Sequence, residues 1–498
     1  MKKAFAILTV FVCMAIACIT ACVHKPQISV TPADGNYPAD VAKVILNKCA
    51  TAGCHDQASY QNADGLLLDT WEHLFNGGVS GAEAVAYSPL YSPLLYYCNT
   101  NAALGVVATD PGHLVVPIDQ ADYMTLYNWI ENGAPDKNGN IPFATNPDTR
   151  HKIYMTQQGC DLLTVIDAAS NQVMRYVPIG ADPVNIESPH CVRVSSDGLY
   201  AYVSFLNGNY IQKIDTRTDK VISAVNVGSG SWNMLYLSPM DTALVTTDWV
   251  GNGQVVYTNT AAMQTESNLT GSGSGAFVYP HGITSNATFD TTFITAQYGN
   301  VIYKYAPAVP YYKKISLNSS APTTTDTSDH SSPDPHDLFM VPDYSRYFVS
   351  CESTNEVRVM DAHNDQLLAT IPVGTFPQEL AISNTQPYMF VTCQEDAANP
   401  NTGCKGSVYV INYNTYAVVK ILYGDFYQPH GITVDDKDGL IYIPSRNANP
   451  NGPAPHHSTS CAGRPGWYTI YNLNTLTPLN TYRYDLPVDP YSAAVRFK

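Results

Sequence analysis

The stretch Lys48-Cys49-Ala50-Thr51-Ala52-Gly53-Cys54-His55 gathers two thiols and an imidazole in a few consecutive residues. Covalent haem attachment needs that set: two thiols to add across the vinyl groups and an imidazole to ligate the iron. Four residues separate the cysteines, where two is the usual number. A small disulfide loop beside a histidine is the alternative chemistry. A second set is dispersed along the chain: His190, His281, His336 and His430 each follow a proline. Imidazoles brought together could hold copper, zinc, iron or nickel.

The first set needs helices to position it. Val41, Val44 and Ile45 recur at helical spacing just before Cys49. A second helix is predicted after Asp119, with Tyr123, Leu126, Tyr127 and Ile130 on one face and Gly133 as its left-handed stop. Between them lie Gly65-Leu66-Leu67-Leu68-Asp69, Gly77-Gly78 and Ser92-Pro93-Leu94-Leu95, and the segment closes on Trp129-Ile130-Glu131-Asn132-Gly133-Ala134-Pro135. This order resembles a family of small bacterial c-type cytochrome domains, over about 100 residues. The resemblance implies covalent haem c, with Cys49 and Cys54 as thioether sites and His55 as proximal ligand. Where the family carries its distal methionine before a proline, this chain has Val116-Pro117. His113 is the nearest substitute and would give a low-potential bis-histidine centre. Met124 and His73 are weaker substitutes.

The second set needs a ring. From residue 151 the chain alternates in short strands with a long internal repeat. One unit opens at Pro189, and others open at Trp232, Pro280, Pro335, Pro377 and Pro429. Tyr347-Phe348-Val349-Ser350 and Met389-Phe390-Val391-Thr392 resemble the YVTN class of β-propeller repeats. A seventh unit is split: 152–180 supplies three strands, and the inner strand comes from 490–497. The expected fold class is therefore multidomain, a small all-α cytochrome c domain followed by an all-β seven-bladed propeller closed by its C-terminal strand. Ring order places Tyr491, His190, Asn233, His281, His336, Gln378 and His430 at one position, near the axis. Convergence on copper or zinc, a packing habit of the repeat, and an anionic or tetrapyrrole ligand are the three readings of that position.

The ends and composition set the compartment. Residues 1–21 read as an export signal. Ile19-Thr20-Ala21-Cys22 resembles the lipobox of bacterial lipoproteins, which implies lipidation at Cys22 and a tether over 22–35. Domain limits are then 36–145 for the haem domain and 151–498 for the propeller. Val23 after Cys22 leans toward the outer membrane, facing either the periplasm or the surface. Charged residues make up 14% of the 498 and the net charge is −16, so no basic stripe suits nucleic acid. Among 12 cysteines, Cys393 and Cys404 form the best local disulfide candidate.

The combination predicts an envelope-located electron-transfer protein with a redox partner protein, serving a redox or metal site at the histidine-lined mouth. If it is an enzyme, it is an oxidoreductase. A cytochrome followed by a propeller resembles the architecture of periplasmic haem-d nitrite reductases, and a histidine-lined propeller resembles that of nitrous oxide reductase. The alternative is a lipid-anchored propeller that binds a protein or glycan, with an accessory haem relay.

Overall fold

The computed structural model describes residues 33–99, 101–104, 118–270, 277–306, 312–317, 333–446, 461 and 466–497. Cys22, His113, His330, His456 and His457 lie outside these. Among the described residues the strands form seven sheets, each a separate blade. The first complete blade comprises β4 (Pro189–Val194), β5 (Tyr200–Phe205), β6 (Tyr210–Asp215) and β7 (Lys220–Asn226), in that spatial order. The chain is a seven-bladed β-propeller, closed as expected: β29 (Pro490–Arg496) pairs antiparallel with β1 (Lys152–Gln157). Every residue of β29 is buried, whereas nearly all of outer strand β7 is exposed or half-exposed. Closure removes the sheet edges that a linear array would leave open.

A single device recurs at the start of the inner strands. Pro189 pairs with Phe205 and Val192 with Val203, so one extra residue is inserted on the inner strand. The same shift follows Trp232, Pro280, Pro335 and Pro377. Such a bulge re-aims side chains, and here it turns the residue after each opening position toward the axis. Ser188, Tyr279, Asp334, Phe376, Gln428 and Asp489, which precede the prolines, all have positive φ.

A bulge frees a backbone N–H, and a hydroxyl from the second strand takes it up. Ser350 Oγ accepts from Asp337 N (3.0 Å) and donates to the carbonyl of Gln378 in the next blade (2.6 Å). Thr295 likewise accepts from Gly282 N and donates to His336 O (both 2.8 Å). Thr156, Thr247 and Thr392 donate to the carbonyls of His190, His281 and His430. The Ser or Thr that closes each Tyr-Val-Ser-like run is thus an interblade clasp, which explains its place in the repeat. Ser350→Ala leaves two buried backbone groups unpaired and is expected to cost about 2 kcal/mol, read as a lower denaturant midpoint with an unchanged slope.

Apolar packing lies mainly between blades. Tyr154, Leu163 and Val165 of the closing blade meet Val192, Ala201 and Val203 of the next. A separate cluster belongs to the N-terminal helices, α1 (Ala39–Val44), α2 (Trp71–Asn76), α3 (Pro93–Cys98) and α4 (Gln120–Glu131), centred on Ile45, Leu74, Leu126 and Ile130. Asp119 caps α4 by accepting from Asp122 N, as its spacing predicts. The closing tryptophan is held by its indole, since Trp129 Nε1 donates to Pro135 O and Trp71 Nε1 to Ala134 O. These helices dock on the seam between the sixth and closing blades: Arg483 N bonds Val79 O, Asp485 N bonds Ser80 O, and Tyr91 packs edge-on to Tyr176.

The expected Cys393–Cys404 disulfide is not formed. The bond joins Cys160 and Cys461, 301 residues apart. Cys393 ends a second strand with its thiol wholly buried among interblade apolar side chains. Cys404 sits on a loop 3.8 Å from Asp425. Closeness in sequence misled here because ring closure brings the start of the propeller beside its penultimate blade.

Candidate functional sites

The thiol and imidazole set forms one wall of a pocket. Helix α1 widens into a π-turn over Ile45–Cys49, with Ala50 N bonded to Ile45 O. Such wide turns are frequent at functional sites. Gly53 supplies the positive φ (+85°) that reverses the chain, and His55 N returns to Cys49 O. Cys49, Cys54 and His55 then face a common cavity of about 90 Å³, walled by Leu66, Leu68, Leu94 and Cys98.

His55 Nδ1 lies 3.0 Å from the carbonyl of Leu66. A carbonyl only accepts, so Nδ1 carries the proton and Nε2 carries the lone pair. Metal-ligating histidines are commonly oriented by this bond. The two cysteines are not bonded to each other, which counts against the disulfide-loop alternative. Burial pushes the Cys49 thiol up to about 11, so it stays protonated at neutral pH. His73, one of the weaker sixth-ligand candidates, is instead turned to Asp69, with Nδ1 2.5 Å from Oδ1. Met124 packs against the helical core.

The propeller brings the dispersed histidines together. His281 and His336 have ring centroids 4.1 Å apart, His336 and His430 5.3 Å, and His190 lies 6.1 Å from His281 and 6.4 Å from His430. Tyr491 of the closing strand stacks on His430 at 3.8 Å and completes the ring. Burial holds the His281 imidazole down to about 4. It holds His430 far below its ordinary value, with the neighbouring imidazoles and Arg446 adding to the effect. His281 and His430 are therefore uncharged at neutral pH.

Among the described residues, only His151, Asp435 and Asp438 bring three candidate metal donors within 4.8 Å of one another. The ring imidazoles do not meet that spacing, so a shared copper or zinc would require them to turn inward. His151 is on the opposite face, clasped between Asp435 (3.3 Å) and Asp438 (2.9 Å), and ties the closing blade to the sixth.

A second tier around the mouth was not anticipated from the sequence. The residue after each second strand is Gln158, Leu206, Trp249, Gln297, Glu352, Gln394 or Arg446. The backbone N–H of the first six bonds the carbonyl of the residue before the neighbouring opening position. Trp249, Gln297 and Glu352 line a cavity of about 320 Å³ with the ring residues. Aligning the blades at their second-strand ends would have exposed this tier. Below the ring, His430 Nδ1 is 3.5 Å from Glu379 Oε1.

No protein-family model matches the chain, and no curated protein matches it. Among solved structures, the chain is similar to hydrazine synthase from Kuenenia stuttgartiensis, at 16% identity over 64% of this chain and 92% of that one, with a TM-score of 0.46. It is also similar to a functionally unknown protein from Desulfotomaculum acetoxidans DSM 771, at 12% identity over 69% of this chain and 100% of that one, with a TM-score of 0.49. Likenesses this distant say nothing of activity, and function is read from the chain's own side chains.

Proposed function

We propose that the chain is an envelope electron-transfer protein that carries haem c on Cys49 and Cys54, with His55 as iron ligand, and that it serves a ligand at the propeller mouth. The observation that carries this reading is the bond between His55 Nδ1 and Leu66 O, made inside a leucine-walled pocket that also holds both thiols. A disulfide loop has no need of an imidazole with a fixed tautomer. The haem, when bound, supplies a one-electron couple. Leu66, Leu68 and Leu94 would exclude water beside the bound group, and the Leu66 carbonyl fixes the His55 ring through Nδ1.

His113 is the proposed sixth ligand, outside the described residues. Lipidation at Cys22 and outer-membrane location complete the reading, and a redox partner protein in the envelope follows from it. A second reading, the propeller as a binding module with the haem as a relay, is favoured by one observation: the ring imidazoles lack the spacing for a shared ion. Cys49→Ser with Cys54→Ser, coexpressed with a cytochrome c maturation system, is expected to yield a folded propeller with no covalent haem. An unchanged haem content in that variant would contradict the proposal.

A further inference from the structure

The mouth cavity holds a charge pattern that a haem relay does not use. Glu352 carries the only carboxyl among the described residues lining it. Its carboxyl is 2% exposed and accepts from Gln378 Nε2 (2.6 Å) and Gln297 Nε2 (3.1 Å). Two neutral amides solvate a carboxylate but do not neutralise it. The nearest imidazole, His336, is 3.7 Å away. Burial, with Asp334 adding its like charge, pushes the Glu352 carboxyl well above its ordinary value, so it holds its proton in the empty mouth and an arriving cation favours the ionised form.

Aromatic walls complete the pattern. Trp249, Tyr298 and Phe376 line the same cavity. Trp249, Tyr279 and Tyr298 interlock with centroids 5.6, 5.9 and 4.9 Å apart, which fixes the lining rings in place. Electron-rich ring faces beside an uncompensated carboxyl recognise organic cations. An anion would find no Lys or Arg among the described residues lining the cavity. Among the described residues a bare divalent ion finds no three converging donors at the mouth, and about 320 Å³ admits a molecule rather than an ion.

We propose that the propeller mouth binds a small organic ammonium, its charge paired with Glu352 and its alkyl surface held against Trp249 and Tyr298. This rests on the mouth being the ligand end of the reading above, and not on the haem. The test uses the full-length protein, titrated with methylammonium, tetramethylammonium and choline by calorimetry and tryptophan fluorescence. Neohexanol, the neutral isostere of choline, is the control.

At least one ammonium is expected to saturate, with neohexanol at least about tenfold weaker than choline. Glu352→Gln and Trp249→Leu should each weaken binding by about tenfold or more, with the far-ultraviolet circular dichroism unchanged. Absence of saturation with all three cations would overturn the proposal. So would equal affinity for neohexanol, or zinc or copper binding that survives Glu352→Gln and is lost in His281→Ala. A haem spectrum of the same sample separates the two readings, since ammonium binding without haem refutes only the haem.

Discussion

Asp489→Ala is expected to lower the unfolding free energy by about 3–5 kcal/mol, the usual cost of stranding one member of a buried ion pair. The seam between the sixth and closing blades is where the interblade hydroxyl is missing, because Pro444 stands at the position that Thr392 holds one blade earlier. The seam is held instead by Arg446, whose Nε and Nη2 meet the two Asp489 oxygens at 2.6 and 2.8 Å, with both side chains fully buried. Asp489 also takes the Gln158 N–H on its backbone carbonyl at 2.9 Å, and Arg446 lies 5.1 Å over the ring of Tyr491. Removing the carboxylate leaves a buried guanidinium without its two-point partner. The double variant Arg446→Met with Asp489→Leu removes both charges and should recover most of the loss. Equilibrium denaturation of the three proteins checks this, and a single-variant loss under about 1 kcal/mol would contradict the role given to the pair.

Glu379→Gln should change how stability depends on pH. Burial pushes the Glu379 carboxyl up to about 8, with Asp337 adding to the shift and Arg193 opposing it, whereas an unfolded glutamate ionises near 4.5. Between those values the folded chain keeps a proton that the unfolded chain releases. Stability is then lost as pH rises through that window. Glutamine has no proton to lose, so the variant's stability relative to the wild type should grow from about pH 4.5 to about pH 8, by on the order of 5 kcal/mol. His430, 3.5 Å away, is held well below its ordinary value by burial and its neighbours. Asp337, raised to about 6, leaves a residual slope in the variant. Parallel pH profiles for the two proteins would show that Glu379 is ionised in the fold.

The blades and the histidine ring were legible because each rests on a short local pattern repeated several times. Pro-His at the head of an inner strand needs only the period of the repeat to be recognised. The closing strand was legible for the complementary reason, an inner strand with nothing after it and three strands lacking one.

The bulges that aim the ring were not legible. Pro335 pairing with Cys351 while Leu338 pairs with Val349 is a register property, and nothing in the residues between announces the extra one. Glu352 was missed because a lone glutamate after a cysteine carries no motif, and only its tier-mates Trp249, Gln297 and Arg446 give it meaning. The Cys160–Cys461 bond joins residues whose proximity depends on ring closure, so loop length misdirected the pairing to Cys393 and Cys404. The helical segment was read correctly at the Asp119 cap, where local geometry decides. The π-turn that carries Cys49 left no trace in hydrophobic spacing, which is shared by α- and π-helical turns.

The most direct test of the central claim is whether haem stays on the polypeptide after denaturation. The full-length chain, exported in a host with a cytochrome c maturation system, is extracted with acidified acetone. It is then examined by pyridine haemochrome spectrum and intact mass. The account predicts one haem per chain, retained through extraction and mapped to the peptide containing Cys49 and Cys54, with neither thiol open to alkylation. A chain that emerges colourless, with Cys49 and Cys54 both alkylated or joined to each other, would contradict it.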